Sequence, residues 1–306
     1  MRVSDQTRVR MMLDSIQTRT ADLNELYVKT ASQRQVQRPS DDPVATATIM
    51  RLSDQVRSLE QKQQSITSAQ AFCDAAGSVL DTGVDSIATL QTLAVRSAGS
   101  VTLSASNRVA MSNEVDQIIE TLTNLANENS NGRYLFGGTR TDAQPVAVAR
   151  DASGRIASVA YEGSDEPILF PLGEGRTVSP TATARTAFLD SDLLNAAISL
   201  RDHLRNDAGL PTEAQDALLS SDLERINRAQ AAFLEESGRM AARSSMLESL
   251  EQQTQSGITR ATEMLSKVRD VDTAQLAVSL QQEQTNYQAL LASTAKIMGA
   301  NLMSYL

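Results

Sequence analysis

Apolar residues in the first 35 positions recur every three or four residues, alternating as in a coiled-coil seam. The positions are Val9, Leu13, Ile16, Thr20, Leu23, Tyr27 and Thr30. Polar residues fill the rest of the segment, so the apolar stripe is narrow and gives one isolated helix little stability. The pattern predicts a helix over about 3–35 that needs a partner.

The segment RPSDDP at 38–43 predicts where this helix stops and the next one starts. Pro39 disfavours helical backbone at Arg38. Asp42 is typical of an N-cap, and Pro43 suits the first helical position, where its missing N–H is not needed. The second helix then continues to a break near 98–100. A third is predicted over about 105–128, ending in the cluster Asn-Ser-Asn-Gly at 129–132.

Helical periodicity disappears between 133 and 190, where glycine, proline and β-branched residues increase. Residues 145–149 and 156–161 flank a turn at 151–154, which predicts a β-hairpin. Residues 168–170 are a further strand candidate. The region is a small β-rich insert.

Helices resume near Ser191, and Thr212 with Gln215 predicts a capping-box start for a helix running to about 269. Seven apolar or small positions recur there every seven residues, namely Ile226, Phe233, Met240, Leu247, Thr254, Ala261 and Val268. A last helix over about 272–306 carries Leu276, Leu280, Tyr287, Leu291, Met298, Leu302 and Tyr305. Both terminal segments therefore present an apolar stripe to a partner helix.

These elements predict a mainly α protein with a small β-rich insert. The helices before the insert and those after it are expected to run antiparallel, since the insert reverses the chain direction. This gives an elongated rod whose N- and C-terminal helices pair as a coiled coil. Five segments follow, at 1–37, 38–130, 131–190, 191–270 and 271–306. The first and last are the expected assembly helices, the second and fourth are the two halves of the helical core, and the third is the insert.

Composition narrows the function classes. The net charge of −9 argues against nucleic acid as a partner, because phosphates require a basic face. No apolar run approaches the roughly 20 residues of a membrane span. The first residues lack a continuous apolar stretch and a small-residue cleavage site, so no cleaved signal peptide is expected.

Residues able to do chemistry are scarce. The single histidine, His203, lies without a nucleophile signature and is interpreted as a surface or packing residue. Asp41/Asp42 and Glu235/Glu236 are interpreted as a helix cap and solvated helix faces, and Cys73 as a core thiol on the apolar seam. We therefore expect no enzyme activity, no metal site and no cofactor.

Four short stretches resemble the flagellin-like family, in particular its hook-associated junction proteins. They are RPSDDPVA at 38–45, NGRYLFGG at 131–138, NYQAL at 286–290 and NLMSYL at 301–306. Their order and spacing match over essentially the whole chain.

The resemblance implies a structural subunit joining hook to filament in the bacterial flagellum, secreted through the flagellar export channel without signal cleavage. It implies terminal helices that are loosely ordered in the monomer and form the inner tube of the assembly. It implies self-association in a ring, contacts with another hook-associated protein and with flagellin, and a cytoplasmic export chaperone. From their spacing we expect the two terminal stripes to form the assembly interface, namely Val9, Leu13, Ile16, Leu23, Tyr27, Leu276, Leu280, Tyr287, Leu291, Met298, Leu302 and Tyr305. Asp42 and Pro43 are the expected helix-cap and loop residues.

Two alternatives stay open on sequence alone. A filament flagellin has similar terminal helices, although Pro39, Pro43 and the Ser-Tyr-Leu ending favour a junction protein. A cytoplasmic coiled-coil adaptor or scaffold accounts for the heptads and the acidity, but not for a β-rich insert in the middle of the chain.

Overall fold

The computed structural model describes residues 2–98, 104–173, 175–180 and 182–303, and it confirms a mainly helical fold with small strand pairs. The helices are α1 (Arg2–Ser32), α2 (Pro43–Ala98), α3 (Ala105–Ala126), α4 (Leu193–Arg205), α5 (Thr212–Arg269) and α6 (Thr273–Met303). The strands are β1 (Asn129–Ser130), β2 (Arg133–Tyr134), β3 (Val146–Arg150), β4 (Ile156–Tyr161), β5 (Phe170–Pro171) and β6 (Thr177–Val178). The predicted break at 98–100 lies largely outside the described residues. None of the described helices combines the length and apolarity that crossing a membrane requires.

One compact unit contains Met1–Leu59 and Ser256–Leu306, in which α1 packs against α6. Backbone hydrogen bonds tie the residues after α1 to the α5–α6 junction, from Gln35 N to Arg269 O at 2.8 Å and from Val271 N to Gln33 O at 3.2 Å. Gln33 has a left-handed backbone with φ 55°. α1 therefore ends at Ser32, slightly before the predicted 35, because its chain leaves the helix to pair with the residues after α5.

The start of α2 confirms the predicted cap. Asp42 Oδ1 accepts a hydrogen bond from the Ala45 backbone N–H at 2.9 Å, and Pro43 is the first helical residue. The neighbouring Asp41 Oδ2 accepts from the Arg38 N–H at 2.9 Å, which closes the preceding turn. The two carboxylates thus act on backbone amides.

Removing this cap should weaken the start of α2. We expect Asp42→Ala to lower the free energy of unfolding by about 1 kcal/mol and to speed hydrogen exchange at the Ala45 amide, because that amide loses its acceptor. Asp42→Asn is the matched control, since it keeps an acceptor oxygen and should cost only a few tenths of that. Equal stability of the Ala and Asn variants in urea titrations would show that the cap contributes nothing.

The second unit spans Glu60–Gln255 and holds the main hydrophobic core. At its centre three phenylalanines stack edge to face, with ring centroids 5.5 Å apart for Phe136 and Phe188 and 5.3 Å apart for Phe188 and Phe233. All three side chains are fully buried. Gly83 of α2 lies directly against the Phe233 ring. The stack joins the insert, the π-helical turn Arg185–Leu189 and α5 to α2.

The predicted hairpin is present. β3 and β4 pair antiparallel with Val146 opposite Tyr161. In the turn, Asp151 Oδ1 accepts from the Ser153 and Arg155 amides at 2.7 and 3.1 Å, and Gly154 takes φ +83°. The strand candidate at 168–170 is only partly right, because the paired residues are Phe170–Pro171 with Thr177–Val178. The two-residue ladder of β1 with β2 is too short to leave a period in the sequence.

The predicted capping box at the start of α5 is wrong in its side-chain contacts. Gln215 is 97% buried, and its amide Nε2 donates to the His203 carbonyl at 2.7 Å. Its Oε1 accepts from the Arg108 guanidinium. The Gln215 side chain therefore hydrogen-bonds to partners on α3 and α4, although the local motif predicts that it caps the start of α5.

Candidate assembly surfaces

The α1–α6 pair has a small apolar seam closed by polar contacts. Leu23 and Leu276 are the best buried of the predicted stripe residues, and Val9, Ile16, Leu280 and Tyr287 are half-buried. Arg19 forms an ion pair with Glu283 at 2.8 Å, and Gln284 donates to the Tyr27 hydroxyl at 2.9 Å. The predicted pairing of the terminal helices is thus present within one chain.

The seam departs from the predicted stripe at two positions of α1. Leu13 is 54% exposed and Tyr27 48% exposed, although Tyr27 still reaches α6 through its hydroxyl. Met12 and Leu26, one residue earlier in each case, are half-buried. Leu13, a member of the predicted stripe, therefore lies largely outside the seam within one chain. A heptad stripe allows either register where apolar residues stand side by side, and packing selects one.

The same holds on α6. Leu291 is 41% exposed, whereas the preceding Leu290 is half-buried. The helix continues to Met303, but the side chains of Met298 and Leu302, and Tyr305 altogether, lie outside the described residues. Within the described part, the exposed large apolar side chains of the two helices are Met11, Leu13, Tyr27 and Val28 on α1 and Val278 and Leu291 on α6.

The α6 helix is almost free of charge. Its 31 residues include only Glu283 and Lys296 as charged side chains, and Arg19 already pairs with Glu283. Glutamine, asparagine, serine and threonine fill most of the remaining polar positions. Uncharged polar faces are buried at modest cost where neighbours supply hydrogen bonds, so this face can enter a helix–helix contact.

His203 is a packing residue. Its Nδ1 lies 2.5 Å from Asp222 Oδ2, and Asp222 is 98% buried. Burial raises the pKa of the Asp222 carboxyl, against the hydrogen bond from His203, which lowers it. The pair joins α4 to α5, as does Arg225, which binds Asp192 at 2.7 Å. Within the described ranges, no group of three or more His, Cys, Asp or Glu side chains is arranged to hold a metal.

The Glu235/Glu236 pair corrects one expectation. Glu235 lies on a solvated face, but Glu236 is 97% buried. Its carboxylate accepts from Arg239 Nε at 2.8 Å and lies 3.4 Å from Arg243 Nη1. An i,i+3 and i,i+7 pair of arginines thus neutralises a carboxylate that sequence places on the helix surface.

Cys73 is a core thiol, as predicted. It is 99% buried, and its Sγ lies 3.4 Å from Met240 Sδ. Burial raises the pKa of the Cys73 thiol to about 11, with Asp74 adding to the rise. The fold therefore favours the neutral, unreactive form.

This burial predicts how Cys73 reacts. We expect negligible alkylation by iodoacetamide at pH 8 in the native protein and full labelling in denaturant. Because the folded pKa is raised, the thiol's contribution to stability is intact below the unfolded pKa of about 8.5 and is lost as the pH rises toward 11. An exposed thiol on the same helix, Ser78→Cys, is the control that should label quickly. Native labelling of Cys73 at the control's rate would show that the seam is open.

Residues 3–141 match the bacterial flagellin N-terminal helical region. This range covers α1, α2 and α3 and reaches past NGRYLFGG, two of whose residues form β2.

Two relatives carry the same name, flagellar hook-associated protein 3. The protein of Salmonella typhimurium is 29% identical over 179 residues, which cover 58% of this chain and 54% of that protein. The matched part thus spans about half of the Salmonella protein. The protein of Escherichia coli is 25% identical over 321 residues, covering 99% of this chain and 98% of that protein. The resemblance inferred from sequence is confirmed.

A solved structure shows the same fold. The flagellar junction protein FlgL from Legionella pneumophila superposes with a TM-score of 0.59 at 14% identity, over 72% of this chain and 99% of that one. Long helices with small strand pairs are therefore common to both chains.

Proposed function

Because the chain carries a bacterial flagellin N-terminal helical region and the fold of a flagellar junction protein, we propose that it is a structural subunit joining hook to filament in the bacterial flagellum. Full-length similarity to hook-associated protein 3 favours this function over a filament flagellin and over a cytoplasmic coiled-coil scaffold. The protein acts by binding and positioning neighbours, not by catalysis.

The observation that carries the proposal is the exposed apolar surface of the α1–α6 pair. It combines exposed leucine, valine, tyrosine and methionine side chains with a nearly uncharged α6. In a monomer these apolar side chains are exposed to water, whereas in a polymer neighbouring subunits bury them. Ordering of the terminal helices and association of the subunits are therefore coupled. All twelve stripe residues from Val9 to Tyr305 remain our proposed assembly interface: the exposed ones would contact neighbouring subunits directly, and buried ones such as Leu23 and Leu276 hold the helix pair that presents them. Asp42 and Pro43 fix the loop that follows α1.

The partners follow from the junction role. The subunit self-associates in a ring, contacts another hook-associated protein on one side and flagellin on the other, and is held by an export chaperone before secretion. It leaves the cell by the flagellar export route without signal cleavage, and it binds neither nucleic acid nor the membrane interior. Residues 1–37 and 271–306 are its assembly helices, 38–130 and 191–270 its helical core, and 131–190 its insert.

Deleting the gene tests the proposal. Cells without this chain should build hooks, lack filaments and release flagellin monomer into the medium, because flagellin then has no surface on which to polymerise. Re-expression of the chain should restore filaments. A deletion strain with filaments of normal number and length would refute the junction role.

A further inference from the structure

Charge is unevenly divided between the two compact units. The unit formed by residues 1–59 and 256–306 has 13 Lys and Arg against 11 Asp and Glu, while residues 60–255 have 15 against 26. The acidic unit therefore offers carboxylates that its own cations do not balance, and the other unit offers spare cations. The excess carboxylates of one copy can therefore pair with the excess cations of another copy.

Two of these carboxylates stand on the exposed face of α2. Asp74 and Asp81 are seven residues apart, about 10.5 Å along the helix. Among the described residues neither pairs with a lysine or arginine, and Asp74 meets only the Ser244 hydroxyl at 3.3 Å. Two unneutralised charges of one sign on one helix face favour a partner with matching cations.

Between these carboxylates lies a groove of about 340 Å³ bounded by α2 and α5. We call it the acidic groove; it is lined by Cys73, Asp74, Gly77, Ser78 and Asp81 of α2 and by Ser237, Met240, Ala241 and Ser244 of α5. Apart from Met240 and the two aspartates, its lining side chains are small, so a larger side chain from outside has room to enter. The groove is thus an open slot of mixed polar and apolar lining, with a carboxylate at either end.

The chain itself carries the complementary surface near the end of α5. Arg260, Met264 and Lys267 are exposed, at positions i, i+4 and i+7 on one helix face, and we call them the basic ridge. Neither cation has an ion-pair partner in the described ranges, and Met264 is 46% exposed between them. Glu263 lies beside the ridge and leaves it a net charge of +1.

We propose that the basic ridge of one copy docks in the acidic groove of a second copy, with the two helices parallel. Arg260 then faces Asp74, Met264 enters the slot at Ser78, and Lys267 faces Asp81, since both faces repeat over seven residues. This names a contact surface within the self-association of the proposed function, and it rests on that function for its role in the flagellum.

Disulfide trapping tests the contact directly in purified, full-length protein. One preparation carries Ser78→Cys, and a second, tagged preparation carries Met264→Cys. Mixed at high concentration under mild oxidation, they should form a disulfide heterodimer. Wild-type protein, whose Cys73 is buried, gives the background. Absence of a heterodimer above that background would overturn the proposal.

Charge reversal separates this contact from random collision. Asp74→Lys with Asp81→Lys in the first preparation should lower the yield about tenfold, and Arg260→Glu with Lys267→Glu in the second should restore it. Glu60→Lys with Glu248→Lys, the same charge change at exposed positions outside the groove, is the matched control and should leave the yield unchanged. The proposal would be overturned if the heterodimer yield did not change on charge reversal, or if it fell equally in the control.

The two proposals fail separately. A heterodimer that obeys the charge swap, in a protein whose deletion leaves filaments intact, would support the docking and reject the junction role. A deletion strain without filaments, together with no trapped heterodimer, would support the junction role and reject this contact.

Discussion

Leu13→Ala combined with Leu291→Ala should abolish filament formation while leaving the monomer's melting temperature nearly unchanged. Both side chains are about half exposed in the single chain, so their loss should cost little folding stability. In the assembly each buried leucine contributes roughly 1.5–3 kcal/mol, and every subunit loses two. Thermal unfolding of the purified variant and electron microscopy of cells expressing it measure the two effects.

Leu23→Ala is the matched control for this variant. Leu23 is 92% buried in the α1–α6 seam, so its truncation should loosen the monomer's own helix pair. Protease should then remove the terminal segments faster than in the Leu13/Leu291 variant. If the Leu13/Leu291 variant swims normally with filaments attached, these side chains are not assembly anchors; if its monomer unfolds early, they belong to the stable core.

Phe233→Ala should lower the free energy of unfolding by about 3–5 kcal/mol, the largest stability effect that we expect. The side chain is fully buried in α5, and its ring packs edge to face on Phe188 and against Gly83 of α2. Truncation opens a cavity at the point where insert and helices meet. Urea unfolding monitored by far-UV circular dichroism gives the value; a loss below 1 kcal/mol would show that the stack is not central.

Two glycine variants provide the control for this packing. A Cβ on Gly83 would lie 2.6 Å from Phe233 Cζ, so Gly83→Ala should cost about 1–3 kcal/mol through overpacking. Gly238→Ala on α5 meets no atom within 4 Å and should gain up to about 1 kcal/mol in helix propensity. In the Phe233→Ala background the cost at Gly83 should disappear, because the clashing ring is gone.

Local signals in the sequence predicted local structure well. Asp42 and Pro43 start α2, and the turn at 151–154 closes the β3–β4 hairpin. In both cases the deciding contacts join residues within five positions of each other, so a short stretch of sequence is enough to predict the structure.

Contacts between distant segments were not predictable in this way. Gln215 fits a capping box, yet α3 and α4 supply its partners. Leu13 and Met12 fit the same heptad, and only packing against α6 exposes one and covers the other. The burial of Glu236 depends on Arg239 and Arg243 together with the fold around them. Each outcome is set by tertiary packing that a single pattern does not encode.

The most direct test of the junction role is the position of the chain in the flagellum. An epitope inserted between Ala152 and Ser153, in the exposed hairpin turn, leaves the helices intact and is accessible to a gold-labelled antibody. The account predicts label confined to the boundary between hook and filament in electron micrographs of isolated flagella. Label along the whole filament, or label absent from flagella and found in the cytoplasm, would contradict it.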